Sequence, residues 1–242
     1  MHVRLRLTIA LVLVAGGTVI AAVSFWPPEN DKAAGCSSVN AVPLTAQGQQ
    51  ALDSLKTSIR YEIAKSSDGT RQESWTDPVT GQSRTLSFDA QGRLIGETGS
   101  TWDGKTVRSV TVTFATRSWM SATTTAPHAY TSTDVSSAGG SLAVRQAIAG
   151  GTATTLGPAI AEGRTTLRLR EQPVELWVDP LTYLPVQTRL GAVTTAISWL
   201  PRTASNLLST TIVIPQGFKQ SPSGPGSLST NQWTTPATCA QS

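Results

Sequence analysis

Few side chains in this chain have the types and spacing that chemistry requires. Apart from His2, His128 is the sole histidine, so a Ser-His-Asp arrangement would have to be built around it. No G-x-S-x-G turn is present to expose a nucleophile, and His128 reads as a surface-loop residue. Metal binding lacks its usual patterns: there is no H-E-x-x-H, no paired-cysteine motif and no dense carboxylate loop. No glycine-rich phosphate loop precedes a helix. Glu62, Glu73, Asp77, Glu97, Asp103, Glu175 and Asp179 fall on or beside expected strands. Two of them could in principle form the acid pair of a glycoside hydrolase, but acids at strand ends and on open faces are ordinarily solvated. The chain is therefore read as a non-enzyme, with no catalytic residue, no cofactor and no metal.

The tryptophans and cysteines say more. Trp75, Trp102, Trp119, Trp177, Trp199 and Trp233 lie beyond the N-terminal run, where an indole at a strand end can complete a core or line an apolar pocket with its N–H at the rim. Cys36 and Cys239 are the only cysteines and stand toward opposite ends of the chain. In an oxidising compartment such a pair reads as a disulfide. Closing a loop of about 200 residues would restrict the unfolded chain by roughly 5 kcal/mol in the chain-entropy account. The alternatives are lipidation, because Ala33-Ala34-Gly35-Cys36 is a degenerate lipoprotein box, and two unrelated thiols.

What must position these residues begins with residues 7–26, a stretch of 20 without a charge. As a helix it spans about 30 Å, the thickness of a bilayer core. Arg4 and Arg6 precede it while Glu29, Asp31 and Lys32 follow, which keeps residues 1–6 cytoplasmic and exports the remainder. Trp26 suits the outer interface, and Pro27-Pro28 stops the helix. A cleaved signal peptide is the other reading, since Ala22 and Ser24 form a loose A-x-A pattern. The expected location is thus the cell membrane as a single-pass protein with its domain outside, or secretion or lipidation after cleavage. The net charge of +4 falls to +2 without Arg4 and Arg6, with no cluster of Lys and Arg along the sequence, so nucleic acid is not an expected partner.

Residues 27–43 are polar and turn-rich, a linker. Residues 44–57 carry Leu44, Ala51, Leu52 and Leu55 at helical spacing, capped by Thr45 and interrupted by Gly48. Strands follow at 60–65, 71–75, 83–88 and 107–114, separated by Asp68-Gly69, Asp77-Pro78, Gln91-Gly92 and Asp103-Gly104. In the last of these Val110, Val112 and Phe114 share one face, and Ser109, Thr111 and Thr113 the other. Residues 123–138 read as a polar excursion, and 141–149 as a short helix between glycine pairs. Further strands are expected at 165–170, 174–178, 186–190, 193–200 and 210–214, the last preceded by a helical turn at 206–208. The domain occupies residues 44–220, and residues 221–242 form a Pro/Gly/Ser/Thr-rich tail. The fold class is mostly β, with short helices.

Trp75-Thr-Asp77-Pro78-Val-Thr80 is echoed by Trp177-Val-Asp179-Pro180-Leu-Thr182, two hairpins reusing one turn chemistry. The second continues through Tyr183-Leu184-Pro185-Val186, and Trp177, Asp179, Pro180, Leu184 and Pro185 resemble the signature hairpin of the LolA-like superfamily of lipoprotein-sorting proteins. The segments Trp199-Leu-Pro201 through Leu207 and Ile212 through Phe218 resemble the ending of exported proteins with that fold, so the likeness is best over residues 167–218. The resemblance implies an incomplete antiparallel β-barrel of about 11 strands over short helices, with an apolar groove between them. It also implies one of two roles: binding of a lipid or other apolar ligand, or an envelope sensor of the RseB type acting through a protein partner.

Overall fold

The computed structural model describes residues 40–125 and 140–221. The anchor or signal at 7–26, Cys36, Cys239, His128 and Trp233 lie outside the described residues. Among the described residues no helix is long and apolar enough to cross a membrane.

In chain order the elements are α1 (Ala46–Ser54), β1 (Ile59–Ser66), β2 (Arg71–Asp77), β3 (Gln82–Phe88), β4 (Leu94–Trp102), β5 (Thr106–Thr113), β6 (Ser118–Thr125), α2 (Ser141–Ala149), β7 (Thr154–Ala161), β8 (Arg164–Glu171), β9 (Val174–Val178), β10 (Pro185–Leu190), β11 (Val193–Leu200), α3 (Ala204–Leu208) and β12 (Lys219–Gln220). The strands form one sheet of order β12-β6-β5-β4-β3-β2-β1-β11-β10-β9-β8-β7, open and not closed into a barrel. Two meanders, β1 to β6 and β7 to β11, are joined where β1 pairs with β11. Every pair is antiparallel except β12 with β6. Short turns dictate this order, because each Asp-Gly, Asp-Pro or Gln-Gly dipeptide can only send the chain back beside itself.

Strand parity gives the sheet two faces with different cover. On one, Leu169, Val174, Leu176 and Val178 are buried against Val144 of α2, with Ile148 and Tyr183 packed alongside. On the same face Leu52 of α1 is buried against Leu184, with Leu55 and Trp199 beside it. We call this the helix face. Over β2 to β5 the helix face is floored by hydroxyls. The row Ser74, Thr85, Thr98, Thr111 and the row Thr76, Ser83, Ser100, Ser109 each run straight across four strands. Cross-strand contacts of 2.9 Å between Ser74 and Thr85, and 2.7 Å between Ser83 and Ser100, tie them together.

The opposite face is covered over β2 to β6 by the chain that follows β11. This strap carries α3, capped by the Thr203 hydroxyl accepting from Asn206 N. Arg202 binds Asp77 through two nitrogens, Gln82 donates to Thr211, and Phe218 meets Phe114 edge-on at 5.4 Å. Ile212 lies over Gly99, where a Cβ would stand 2.9 Å from the Ile212 Cβ. Beneath the strap Val110, Val112, Glu97 and Asp77 are buried, which explains why β5 alternates as it does.

Three expectations are corrected. Residues 210–214 form no strand: the segment lies irregularly across the sheet, and the last strand is the two-residue β12. Among the described residues the sheet has twelve strands, and β4, β6 and β7 were not anticipated because they are too rich in Gly, Ser and Thr to announce themselves by apolar alternation. The helix expected at 44–57 stops at Ser54, and Ser58 N then donates to Leu55 O as the chain turns into β1.

The hairpin turns bring a prediction of their own. Asp103 accepts from Thr106 Oγ1 and from the backbone N–H groups of Thr106 and Lys105. Led by the Thr106 hydroxyl bond, these hold its carboxyl down at about 2. A carbon-detected NMR titration should therefore find the Asp103 midpoint near 2, and Thr106→Val should move it toward the ordinary range. Because the folded value lies below the unfolded one, the stabilisation linked to Asp103 is full above about pH 4 and lost as the pH falls through about 2.

Candidate functional site

The echoed hairpins share geometry as well as sequence. In the first turn Asp77 accepts from Val79 N and the Thr80 hydroxyl, while Gly81 N donates to the Asp77 carbonyl and Gly81 adopts φ +68°. In the second, Asp179 accepts from Leu181 N, Thr182 N and the Thr182 hydroxyl, while Tyr183 N donates to the Asp179 carbonyl. Tyr183 takes the position of Gly81 with φ +57°, an unfavourable region for a side-chain-bearing residue, and its ring packs into the α2 cluster. The turn thus sends Tyr183 toward α2 and the next residue, Leu184, toward α1. A bulge follows between Pro185 and Gln187, so that Pro185 and Val186 are both buried rather than alternating. Trp177 points to the other face, its ring under the Arg168 guanidinium at 5.4 Å.

Between this hairpin, β11 and α1 lies a cleft of about 240 Å³. Ala51, Ser54 and Leu55 form its helix wall, Leu181, Leu184, Pro185 and Val186 its hairpin wall, and Ile197 and Trp199 its floor. Two charged residues also border it. Arg164 is exposed, and Asp179 is already committed to its own turn. The Trp199 indole N–H is buried and has no partner among the described residues. Gly48 is what lets α1 come so close, since any Cβ there would collide with the Leu181 carbonyl. A larger cleft of about 420 Å³ lies between the Ser67–Thr70 and Asp89–Gly92 hairpin ends. Its lining mixes Phe88 and Ala90 with turn backbone and with the charged Lys65, Arg71 and Asp89.

The seven acids singled out in the sequence are each engaged by a cation or by their own turn. Glu62 binds Arg60 at 2.6 Å, Glu73 lies 3.2 Å from Arg71 and accepts from the Tyr61 hydroxyl, and Glu97 binds Arg84 at 2.7 Å. Asp77 is held by Arg202, Asp103 and Asp179 by their turns, and Glu175 by three arginines. Among the described residues no group of three or more His, Cys, Asp and Glu could hold a metal ion. The sequence reading took Gly48 only as an interruption of the helix and missed both its close approach to Leu181 and the Arg202 clasp. A glycine inside a helix pattern signals either weakness or close approach, and only the partner's position distinguishes them.

No family model matches the chain, and no curated protein matches it. Among solved structures it is similar to an uncharacterised conserved protein from Thermus thermophilus, with TM-score 0.40 and 11% identity, over 72% of this chain and 99% of that one.

Proposed function

We propose that this chain is a membrane-tethered extracytoplasmic module of the LolA-like kind that holds an apolar, lipid-like group in the cleft beneath α1, without catalysing a reaction. The single observation carrying this reading is the cleft itself, a space of about 240 Å³ walled mainly by apolar side chains of α1, the second Asp-Pro hairpin and β11. An apolar cavity of roughly 150 Å³ is enough to take benzene, so this one accommodates a ring or the end of an acyl chain rather than a whole two-chain lipid. An open sheet with both longer helices on one face fits the half-barrel of that superfamily, and the seven acids named above being spent on cations or turns fits a binding role.

The envelope-sensor reading has one observation in its favour: the α2 side of the same face is closed by its own side chains, Val144 and Ile148 against Leu169 and Leu176. One experiment separates the two. Cells expressing the full chain are fed a fatty acid bearing a diazirine and an alkyne, and labelled peptides are mapped after irradiation. Labelling is expected in peptides containing Leu55, Leu184 and Ile197, and Ala51→Phe, which fills the cleft from the helix wall, should abolish it. Labelling confined to residues 7–26 would overturn the ligand reading. Stoichiometric recovery of an envelope protein in that case would favour the sensor.

A further inference from the structure

Cations that are scattered along the sequence are gathered by strand pairing into one row on the face opposite the helices. Cross-strand partners run Arg170, Glu175, Arg189, Thr194, Lys65, Arg71 over β8, β9, β10, β11, β1 and β2. At about 4.8 Å per strand the row is roughly 24 Å long. Arg168 joins it from the neighbouring row, stacked on Trp177. Glu175 is only 13% exposed and is bound at 2.9–3.0 Å by Arg168, Arg170 and Arg189, whose side chains remain 36%, 46% and 50% exposed. One carboxylate cannot neutralise three guanidiniums. With Lys65 exposed and Arg71 facing Glu73, this part of the sheet face carries five cations against two carboxylates. On this face the strap runs from Asp77, at the far end of β2, outward over β3 to β6, and among the described residues it leaves the row open.

We propose that this row docks the domain on an anionic phospholipid surface. Four of the five cations are arginines, whose planar fork matches the two oxygens of a phosphodiester, and the sharing of Glu175 fixes three of those forks in one place before any phosphate arrives. A row about 24 Å long meets several headgroups at once. The choice of a bilayer rests on the tethered reading above: only 13 residues, 27–39, separate the uncharged run from the first described residue, a reach of at most about 45 Å. The cleft under α1 lies on the other face and would stay free to hold its ligand.

The test is made in trans, so that the N-terminal run does not contribute. Full chain in phosphatidylcholine nanodiscs is floated with vesicles of phosphatidylcholine, with or without phosphatidylglycerol. Only anionic vesicles should recruit it, and less so as salt rises. Each cation removed should weaken recruitment about fivefold, so Lys65→Gln with Arg170→Gln and Arg189→Gln should weaken it roughly a hundredfold. Glu175→Gln should strengthen it, an outcome that mere misfolding would not give. Equal recruitment to neutral vesicles, an unchanged triple variant, or binding to a soluble sulphated polyanion but not to vesicles would each overturn the proposal. Fatty-acid labelling under α1 should be unchanged in the triple variant, which keeps the two proposals separately testable.

Discussion

Replacing Asp77 with asparagine should lower the unfolding free energy by about 2–3 kcal/mol, read from the shift in urea midpoint. Asp77 is fully buried and accepts from Arg202 Nε at 3.2 Å and Nη2 at 2.9 Å, while also capping its own turn. Asparagine keeps the shape and part of the cap but gives up the ion pair. Arg202 is 32% exposed and can turn to water, which places the cost at the lower end for a broken buried pair. The strap should loosen with it, seen as faster amide exchange through residues 201–218 while β9 and β10 stay protected.

The same pair gives a pH dependence with a definite sign. Burial by itself pushes the Asp77 carboxyl up, but the bonds from Arg202, Thr80 and Val79 N outweigh it and hold the folded value below the ordinary one. A carboxyl lowered on folding stabilises the fold fully above its unfolded value of about 3.9, and the contribution is lost as pH falls through the folded value. The difference between the parent and Asp77→Asn should thus be complete at neutral pH and close below about pH 4. A difference that persists in strong acid would show that packing, not the ion pair, is what the substitution disturbs.

Gly48→Ala should also destabilise, by about 1–2 kcal/mol, although alanine is the better helix former. In an exposed helix the change would gain about 1 kcal/mol. Here the added methyl meets the Leu181 carbonyl, a backbone atom that cannot swing aside, so α1 must lift and Leu52 gives up part of its burial against Leu184. Gln50→Ala, on the exposed side of the same helix, provides the control and should be neutral or slightly stabilising. Because α1 walls the cleft, fatty-acid labelling at Leu55 should fall in Gly48→Ala and persist in Gln50→Ala. A stabilised Gly48→Ala would mean that α1 is not seated on the hairpin.

The amino-acid sequence determined what is local. Val174, Leu176 and Val178 alternate, and their side of β9 became core; the run 193–200 became β11 with the bounds expected, and α2 fills the interval between its glycines. The Asp-Pro turns were legible twice because an Asp side chain and a Pro ring act within three residues of themselves. What only the tertiary structure decided is where distant residues meet. Nothing near Asp77 in the sequence announces Arg202, and nothing in residues 210–214 distinguishes a strand from a strap, since an apolar run is buried equally well by pairing or by lying across a face. The cleft exists because Gly48 and Leu181, more than a hundred residues apart, touch. The cationic row was invisible for the same reason. Five charges from Lys65 to Arg189 form no cluster along the chain and line up only when β1 closes on β11, because register, a property of pairs of strands, is what sets neighbours across a sheet.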